Sequence, residues 1–402
     1  MTKQHTIMAN RDIFLFSCYA LLTSCIFPRG IFMLYLTHKG LTVAQVGLYQ
    51  MLVQVSMFLL EIPTGYIGDK VGKTRSLQIG TLLLVLHCIL MMVFQHPAAL
   101  MALGCLEGMG YTFGSGSDGA LLYELLKRNH REQDYLRFNA RLQSVQSLLM
   151  GAAISVGAFL VSWSWDLAYG ITALCLGAAW LMLAPLQEPA ASEAAPTGGG
   201  SLSGLKRWIL YPNLAVFLLC VVGFSCMDGI SGSYYNYNQI LFQRRQIPVS
   251  LIGIFFSVSY FAASAAYLLA ARLSRRTPKR RVIAWMIALQ GTLFASLALM
   301  RQPVGFVALS FVCCLTPEVV YILADSIIQK YIASDCRATI LSIVSMLRSL
   351  MSAVIYAVLG EILDRTDVMG FMLFLAVVTF GALGGFLLLL DFHKRRQDES
   401  DP

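Results

Sequence analysis

Long apolar segments recur from one end of the chain to the other, separated by short polar stretches. An α-helix needs about 20 mostly apolar residues to cross a bilayer. Twelve segments meet that length, near residues 12–37, 42–64, 76–95, 98–123, 139–162, 167–186, 211–240, 249–271, 282–300, 304–330, 338–360 and 369–391. Because 57% of the residues are hydrophobic and only 13% are charged, nothing remains for a separate soluble domain. We therefore predict an all-α membrane protein with twelve transmembrane helices.

The side chains that carry chemistry in enzymes are not grouped in this sequence. Most of the ten cysteines lie inside apolar segments, and no Cys-x-x-Cys pair or His/Cys cluster indicates a metal. The glycine-rich run from Gly104 to Gly119 lacks the Lys-Ser/Thr of a phosphate loop and indicates close helix packing instead. We expect no cofactor, no metal, no nucleic-acid partner and no enzymatic activity.

The basic residues are distributed unevenly between the two ends of the predicted helices. If both termini are cytoplasmic, all but six of the 30 Lys and Arg residues lie on the cytoplasmic side or in the inner half of a helix. The six exceptions are Arg29, Lys39, Arg244, Arg245, Arg301 and Arg365. The positive-inside rule therefore predicts cytoplasmic termini in a bacterial inner membrane.

The chain also divides into two halves. Residues 188–210 are rich in Ala, Pro, Gly and Ser and have the composition of a flexible linker. A charged loop at 65–75 in the first half has a counterpart at 272–281 in the second. We predict a six-helix bundle over 1–187, a cytoplasmic linker over 188–210, and a second six-helix bundle with a short tail over 211–402.

The loop at 65–75 has a defined order of glycines and charges. Its marked positions are Gly65, Asp69, Lys70, Gly72, Lys73 and Arg75. The stretch resembles the loop between the second and third helices of the major facilitator superfamily, and it matches that motif at every defined position. The resemblance implies two pseudo-symmetric six-helix bundles with a solute path between them near the midplane.

The flanking sequence resembles a bacterial branch of this superfamily that consists largely of exporters. The similar stretches are Tyr35–Leu36, Gly40–Thr42, Leu60–Gly65 and Ser115–Tyr123. Two features of drug–proton antiporters are absent, because Gly104 stands where their fourth helix has Arg, and 151–157 lacks their Gly-Pro pair. The resemblance favours export of a small organic solute and disfavours a typical multidrug antiporter.

Ionisable residues inside the predicted helices are the candidates for function, because each costs a few kcal/mol to hold in hydrocarbon. Spans one, four, seven and ten line the central cavity in the superfamily, which implies a polar ring of Arg29, Glu107, Asp228 and Glu318. Arg29 with Glu107, and Glu318 with Arg348, also fit structural ion pairs. Asp228 has no obvious basic neighbour in its own half. It is therefore our first candidate for a coupling proton, before Glu107 and Glu318.

The seventh span carries polar residues at helical spacing. Asp228, Ser231, Tyr235 and Asn238 share one face, which predicts a solute-binding surface. In span ten, Tyr321 follows Glu318 on the same face, and Pro317 frees a backbone carbonyl beside them. Tyr234 and Tyr237 are expected at the outer membrane interface.

Charged residues at the cytoplasmic helix ends predict a latch that closes the inner side of the protein. Besides the 65–75 motif residues, this group contains Asp118, Arg141 and Arg348. His87 in span three is interpreted as a core residue and not as a proton site.

These patterns predict a monomeric, proton-coupled secondary transporter that works by alternating access. It is expected to export a polar or amphipathic metabolite, drug or siderophore. Import of a small polar nutrient or siderophore, and a membrane sensor that transports nothing, remain as alternatives. The expected partners are the solute, a proton and the lipid bilayer.

Overall fold

The computed structural model describes residues 3–115, 117–186, 214–331 and 337–398, and no β-strand occurs in these ranges. The α-helices are α1 Lys3–Thr23, α2 Phe32–His38, α3 Val43–Val71, α4 Lys73–Val93, α5 Pro97–Gly114, α6 Ser117–Arg128, α7 Tyr135–Leu160, α8 Asp166–Leu183, α9 Leu214–Arg244, α10 Val249–Arg276, α11 Lys279–Leu299, α12 Pro303–Tyr331, α13 Arg337–Arg365 and α14 Val368–Asp398. Short 3₁₀ helices span Phe27–Gly30 and Glu132–Asp134.

Nine helical segments in the described ranges are long and apolar enough to cross a membrane. They coincide with spans one, two, three, five, six, nine, ten, eleven and twelve of the predicted set. The three other predicted spans coincide with α5 and α6, with α9 and with α10. The prediction of an all-helical membrane protein is confirmed.

The first predicted span is not one continuous helix, which corrects the expectation for residues 12–37. Helix α1 ends at Thr23, the chain forms a 3₁₀ turn over Phe27–Gly30, and α2 begins at Phe32. Pro28 lies in this turn, and proline has no N–H to continue a helical ladder. The backbone N–H of Phe27 instead donates to Thr172 Oγ1 at 3.1 Å. This turn sets the position of Arg29.

The fourth predicted span is also interrupted. Helix α5 ends at Gly114 and the amphipathic α6 begins at Ser117. Leucines of α6 join a buried cluster with residues of α1, α4 and α8. Its members include Phe16, Tyr19, Leu77, Leu121, Leu122, Leu125, Leu126 and Leu183. Because its polar face remains uncovered by this cluster, α6 is an addition to the span and not its continuation.

By packing, the chain divides into two compact units. The first unit comprises 1–41, 48–197 and 248–258, and the second comprises 42–47, 198–247 and 259–402. The starts of α3 and α10 are therefore assigned to the opposite unit from the rest of each helix. The predicted linker 188–210 lies outside the described residues. The division into bundles 1–187 and 211–402 stays a prediction.

Glycines allow close helix contacts in the first unit. A Cβ atom at Gly104 would lie 3.0 Å from the carbonyl oxygen of Tyr49, and a Cβ at Gly108 would collide with that of Val53. Helix α5 therefore packs against α3 with its backbone close to that of its neighbour. This contact fixes the depth of Glu107, which lies between the two glycines in sequence.

The core of the second unit lies among α9, α10, α11 and α12. Tyr234 and Tyr237 belong to the interior of this unit, with exposed fractions of 1% and 0%. Tyr237 Oη donates to the carbonyl oxygen of Tyr356 at 2.8 Å, and the Tyr234 ring packs edge-on against Phe294. The expectation that these tyrosines form an interfacial belt is wrong, because partners from other helices bury both rings.

Candidate functional site

A small pocket with a mostly apolar lining lies within the second unit, and its free volume is about 20 Å³. We call it the Asp228–Arg348 pocket. Helices α9, α11, α12 and α13 supply its walls. The lining residues are Phe224, Met227, Asp228, Ser231, Gln290, Pro317, Val320, Tyr321, Ala324 and Arg348.

The pocket holds opposite charges. Asp228 comes from α9 and Arg348 from α13, and the guanidinium acts electrostatically on the carboxylate. Arg348 Nη1 donates to Tyr321 Oη at 3.1 Å, and the guanidinium lies over the Tyr321 ring, 4.8 Å from its centroid. The expectation that Asp228 has no basic neighbour in its own half is therefore wrong. The structure also places Arg348, a predicted latch residue, in the lining of this pocket.

An amide that the sequence analysis missed lies beside the predicted serine. Gln290 on α11 is fully buried, and its Nε2 donates to Ser231 Oγ at 3.0 Å. Its Oε1 has no hydrogen-bond partner among the described residues. A lone glutamine in the apolar segment 282–299 was the available signal, because a buried amide needs partners or a ligand. Gln290 therefore offers the pocket an acceptor.

The predicted polar face of α9 continues beyond the pocket. Asp228 and Ser231 line it, whereas Tyr235 and Asn238 do not. Asn238 is fully buried and its Nδ2 donates to Cys314 Sγ at 3.7 Å. The face contacts α12 at this level, and the role of Tyr235 and Asn238 in solute binding stays a prediction.

Helix α12 contributes Pro317 and Tyr321 to the pocket, while the neighbouring Glu318 is half-buried and does not line it. The helix runs through Pro317 without a break. Thr316 Oγ1 donates to the carbonyl oxygen of Cys313 at 3.0 Å. In a regular helix the N–H of residue 317 would donate to this carbonyl, but proline has no N–H. The Thr316 hydroxyl donates in its place.

A second polar cluster lies in the first unit around Glu107. Tyr49 Oη donates to Glu107 Oε2 at 2.6 Å and lies 3.0 Å from His87 Nε2. The nearest His87 and Glu107 atoms are 3.8 Å apart. His87 is buried, as expected for a core residue, but it contacts the predicted functional carboxylate.

Arg29 is exposed on the 3₁₀ turn that interrupts the first span. Its charge acts on Tyr111, which lies within hydrogen-bonding reach of Glu107. The predicted ion pair of Arg29 with Glu107 stays a prediction.

The predicted latch residues lie at separate places. Gly72 adopts a φ of 98° before α4, which favours glycine, and Lys70 Nζ lies 4.6 Å above the Tyr66 ring. Asp118 accepts a hydrogen bond from Tyr19 at 3.2 Å, and Arg141 is exposed. The side chain of Asp69 lies outside the described part of the structure. The helical residues Gly65, Lys73 and Arg75, of which Lys73 is half-buried and the others exposed, keep their predicted role as a proposal.

Within the described ranges, no group of three or more His, Cys, Asp or Glu residues is placed to hold a metal ion.

Long apolar helices that contain a few clustered polar groups define this chain as a multi-pass helical membrane protein. A model of the Major Facilitator Superfamily matches residues 13–356. The chain belongs to the major facilitator superfamily, and it is a transporter of a small solute.

Solved structures share this fold. The nucleoside transporter NupG has a TM-score of 0.80, with 15% identity over 94% of this chain and 99% of that chain. An aspartate-to-alanine variant of NupG has a TM-score of 0.77 at the same identity and coverage. Among curated proteins, none matches the sequence. At this identity the similarity shows the fold alone.

Proposed function

We propose that this chain is a proton-coupled secondary transporter that exports a polar or zwitterionic solute through the Asp228–Arg348 pocket. The observation that carries the proposal is the presence of opposite charges, Asp228 and Arg348, in one pocket within apolar helices. A carboxylate and a guanidinium recognise the two ends of a zwitterion, and the Gln290 and Tyr321 side chains add polar and aromatic contacts.

Coupling follows if Asp228 accepts either a proton or a cationic group of the solute, but not both. A proton that enters on Asp228 would then displace the solute, and one that leaves would restore the site for the next molecule. Asp228 lines the pocket beside Arg348, so its carboxylate is placed to interact with either partner. Exclusive occupancy of one carboxylate is sufficient for antiport.

Export is proposed from the resemblance of the motif regions to an exporter branch, in a bacterial inner membrane with both termini cytoplasmic. Import by the same rocking motion remains the second candidate, and a sensor role the third. Since NupG shares the fold alone, nucleosides belong among the solutes to be tested but are not favoured by that similarity.

The experiment is a solute panel measured by thermal unfolding of the purified protein. The panel contains amino-acid-like zwitterions, short peptides, nucleosides and hydroxamate siderophores. We expect a zwitterionic class to raise the unfolding midpoint of the wild-type protein, because a ligand that binds the folded state stabilises it.

Arg348→Gln should weaken this binding by about tenfold or more, since a hydrogen bond to a charged group contributes about 1.5–3 kcal/mol. Arg365→Gln is the matched control, because Arg365 is an exposed residue of α13 that pairs with Glu361. Binding that keeps wild-type affinity in both Arg348→Gln and Asp228→Asn would place the solute outside this pocket.

A further inference from the structure

Three buried or half-buried groups from three helices of the first unit form a continuous hydrogen-bonded chain. His87 from α4 lies 3.0 Å from Tyr49 of α3, and Tyr49 lies 2.6 Å from Glu107 of α5. Their exposed side-chain fractions are 8% for His87 and 18% for Glu107, and Tyr49 is buried. We call these residues the Tyr49 cluster.

The number of protons on each group decides which group donates in these two hydrogen bonds. A phenol has one proton, and the 2.6 Å bond gives it to the Glu107 carboxylate, the stronger acceptor. The Tyr49 oxygen must then accept from His87, which requires the proton of neutral His87 on Nε2. His87 therefore donates to Tyr49, and Tyr49 donates to Glu107.

Other ionisable groups surround the Tyr49 cluster. Cys88 faces it from α4, Tyr111 from α5 and Tyr169 from α8, while the charge of Arg29 reaches it through Tyr111. The only acid of this group is Glu107, and the only other side chain with ordinary titration near neutral pH is His87. A net gain of one proton in this environment therefore falls on the Tyr49 cluster.

We propose that the Tyr49 cluster is a second proton-binding site of the transporter, separate from Asp228, and that Tyr49 relays the proton between His87 and Glu107. An incoming proton binds His87 at Nδ1. The Nε2 proton of His87 passes to the Tyr49 oxygen as the phenolic proton of Tyr49 passes to Glu107 Oε2. The cluster ends with neutral Glu107, neutral Tyr49 and His87 protonated on Nδ1, so its charge changes from −1 to 0.

This inference rests on the proposed function, since a coupling proton has meaning only in a transporter. A purely structural cluster would also hold α3, α4 and α5 together through the same bonds. The two roles differ in one respect, because a structural cluster keeps a fixed protonation state across the pH range of the cell, whereas a proton site titrates.

The test is infrared difference spectroscopy of the purified full-length protein between about pH 5 and about pH 9, without any solute. We expect a carbonyl stretch of protonated carboxyl groups to grow as the pH falls, and Glu107→Gln to remove the Glu107 component of it while the Asp228 component remains. Tyr49→Phe and His87→Gln should each move its midpoint by about half to one pH unit, the equivalent of one hydrogen bond.

Tyr35→Phe is the matched control, because Tyr35 is a buried tyrosine of the same unit that donates to another carboxylate, Asp166, at 2.5 Å. It should leave the midpoint unchanged. If Glu107→Gln removes no titrating band, the Tyr49 cluster is not a proton site. If the band disappears in Glu107→Gln but keeps its midpoint in both Tyr49→Phe and His87→Gln, the relay is wrong. Neither result bears on solute binding in the Asp228–Arg348 pocket.

Discussion

Single polar side chains inside the helices carry much of the function proposed for this protein. Gln290 is the clearest case, because it is fully buried and keeps one acceptor without a partner. An unsatisfied buried acceptor costs about 1–3 kcal/mol. A solute that donates a hydrogen bond to Gln290 Oε1 would recover part of that cost, so the same atom weakens the empty protein and strengthens solute binding.

Gln290→Met tests whether this side chain contributes to solute binding without stabilising the empty protein. The change keeps the length of the side chain and removes both the unsatisfied acceptor and the hydrogen bond to Ser231. These two effects oppose each other, so the unfolding midpoint of the empty protein should change little. Solute affinity should fall several-fold, because the acceptor is lost. Both quantities are read from thermal unfolding of the purified protein with and without the solute.

Thr379→Val is the control for Gln290→Met. The Thr379 hydroxyl is likewise buried without a hydrogen-bond partner in the described structure, but it does not line the pocket. The variant should be at least as stable as the wild type and should bind the solute normally. Equal loss of affinity in both variants would contradict a direct role of Gln290.

The sequence predicted some site residues and missed others for a physical reason. Asp228 and Ser231 follow from helical spacing on one segment, and the pocket contains both. Gln290 meets Ser231 across two helices, and His87 meets Glu107 through Tyr49 of a third. Periodicity within a segment carries no information about such partners, because they are set by how helices pack.

Whole helices respond to proline in two ways in this protein. Pro28 accompanies a break between α1 and α2, whereas α12 continues through Pro317. The difference lies in local partners, since the Thr316 hydroxyl donates to the Cys313 carbonyl that Pro317 leaves free. The apolar length of a segment predicts that a span exists, but it does not predict whether proline interrupts it.

A double-mutant cycle tests the compensation within α12. Thr316→Val should destabilise the protein by about 1–2 kcal/mol, because the buried Cys313 carbonyl loses its donor. Pro317→Ala restores a backbone N–H at the position that can reach this carbonyl. Thr316→Val should therefore cost clearly less in the Pro317→Ala background, as measured by denaturant or thermal unfolding. Equal costs in both backgrounds would contradict the compensation.

At the scale of the whole molecule, the family and the helical fold follow from the apolar segments and the 65–75 motif, because both depend on local sequence. The assignment of residues 42–47 and 248–258 to the opposite unit was not predictable, since it reflects contacts between distant parts of the chain. Orientation in the membrane rests on the distribution of charge and is a prediction.

Single cysteines in a cysteine-free background test the orientation. Arg276 and Arg301 are both exposed, and the positive-inside rule places them on opposite sides of the membrane. In intact cells, an impermeant thiol reagent should label Arg301→Cys and should label Arg276→Cys only after permeabilisation. The reverse pattern would invert the proposed topology.

The central claim is that a pH gradient drives the solute through a pocket whose carboxylate, Asp228, also binds the coupling proton. The most direct measurement follows the solute identified by the binding panel in reconstituted vesicles, with pH gradients of either sign. Wild-type protein should accumulate the solute against its gradient in the direction opposite to proton flow. Asp228→Asn should lose this uphill transport while solute exchange without a gradient persists. Wild-type uphill transport with an unchanged pH profile in Asp228→Asn would contradict the account.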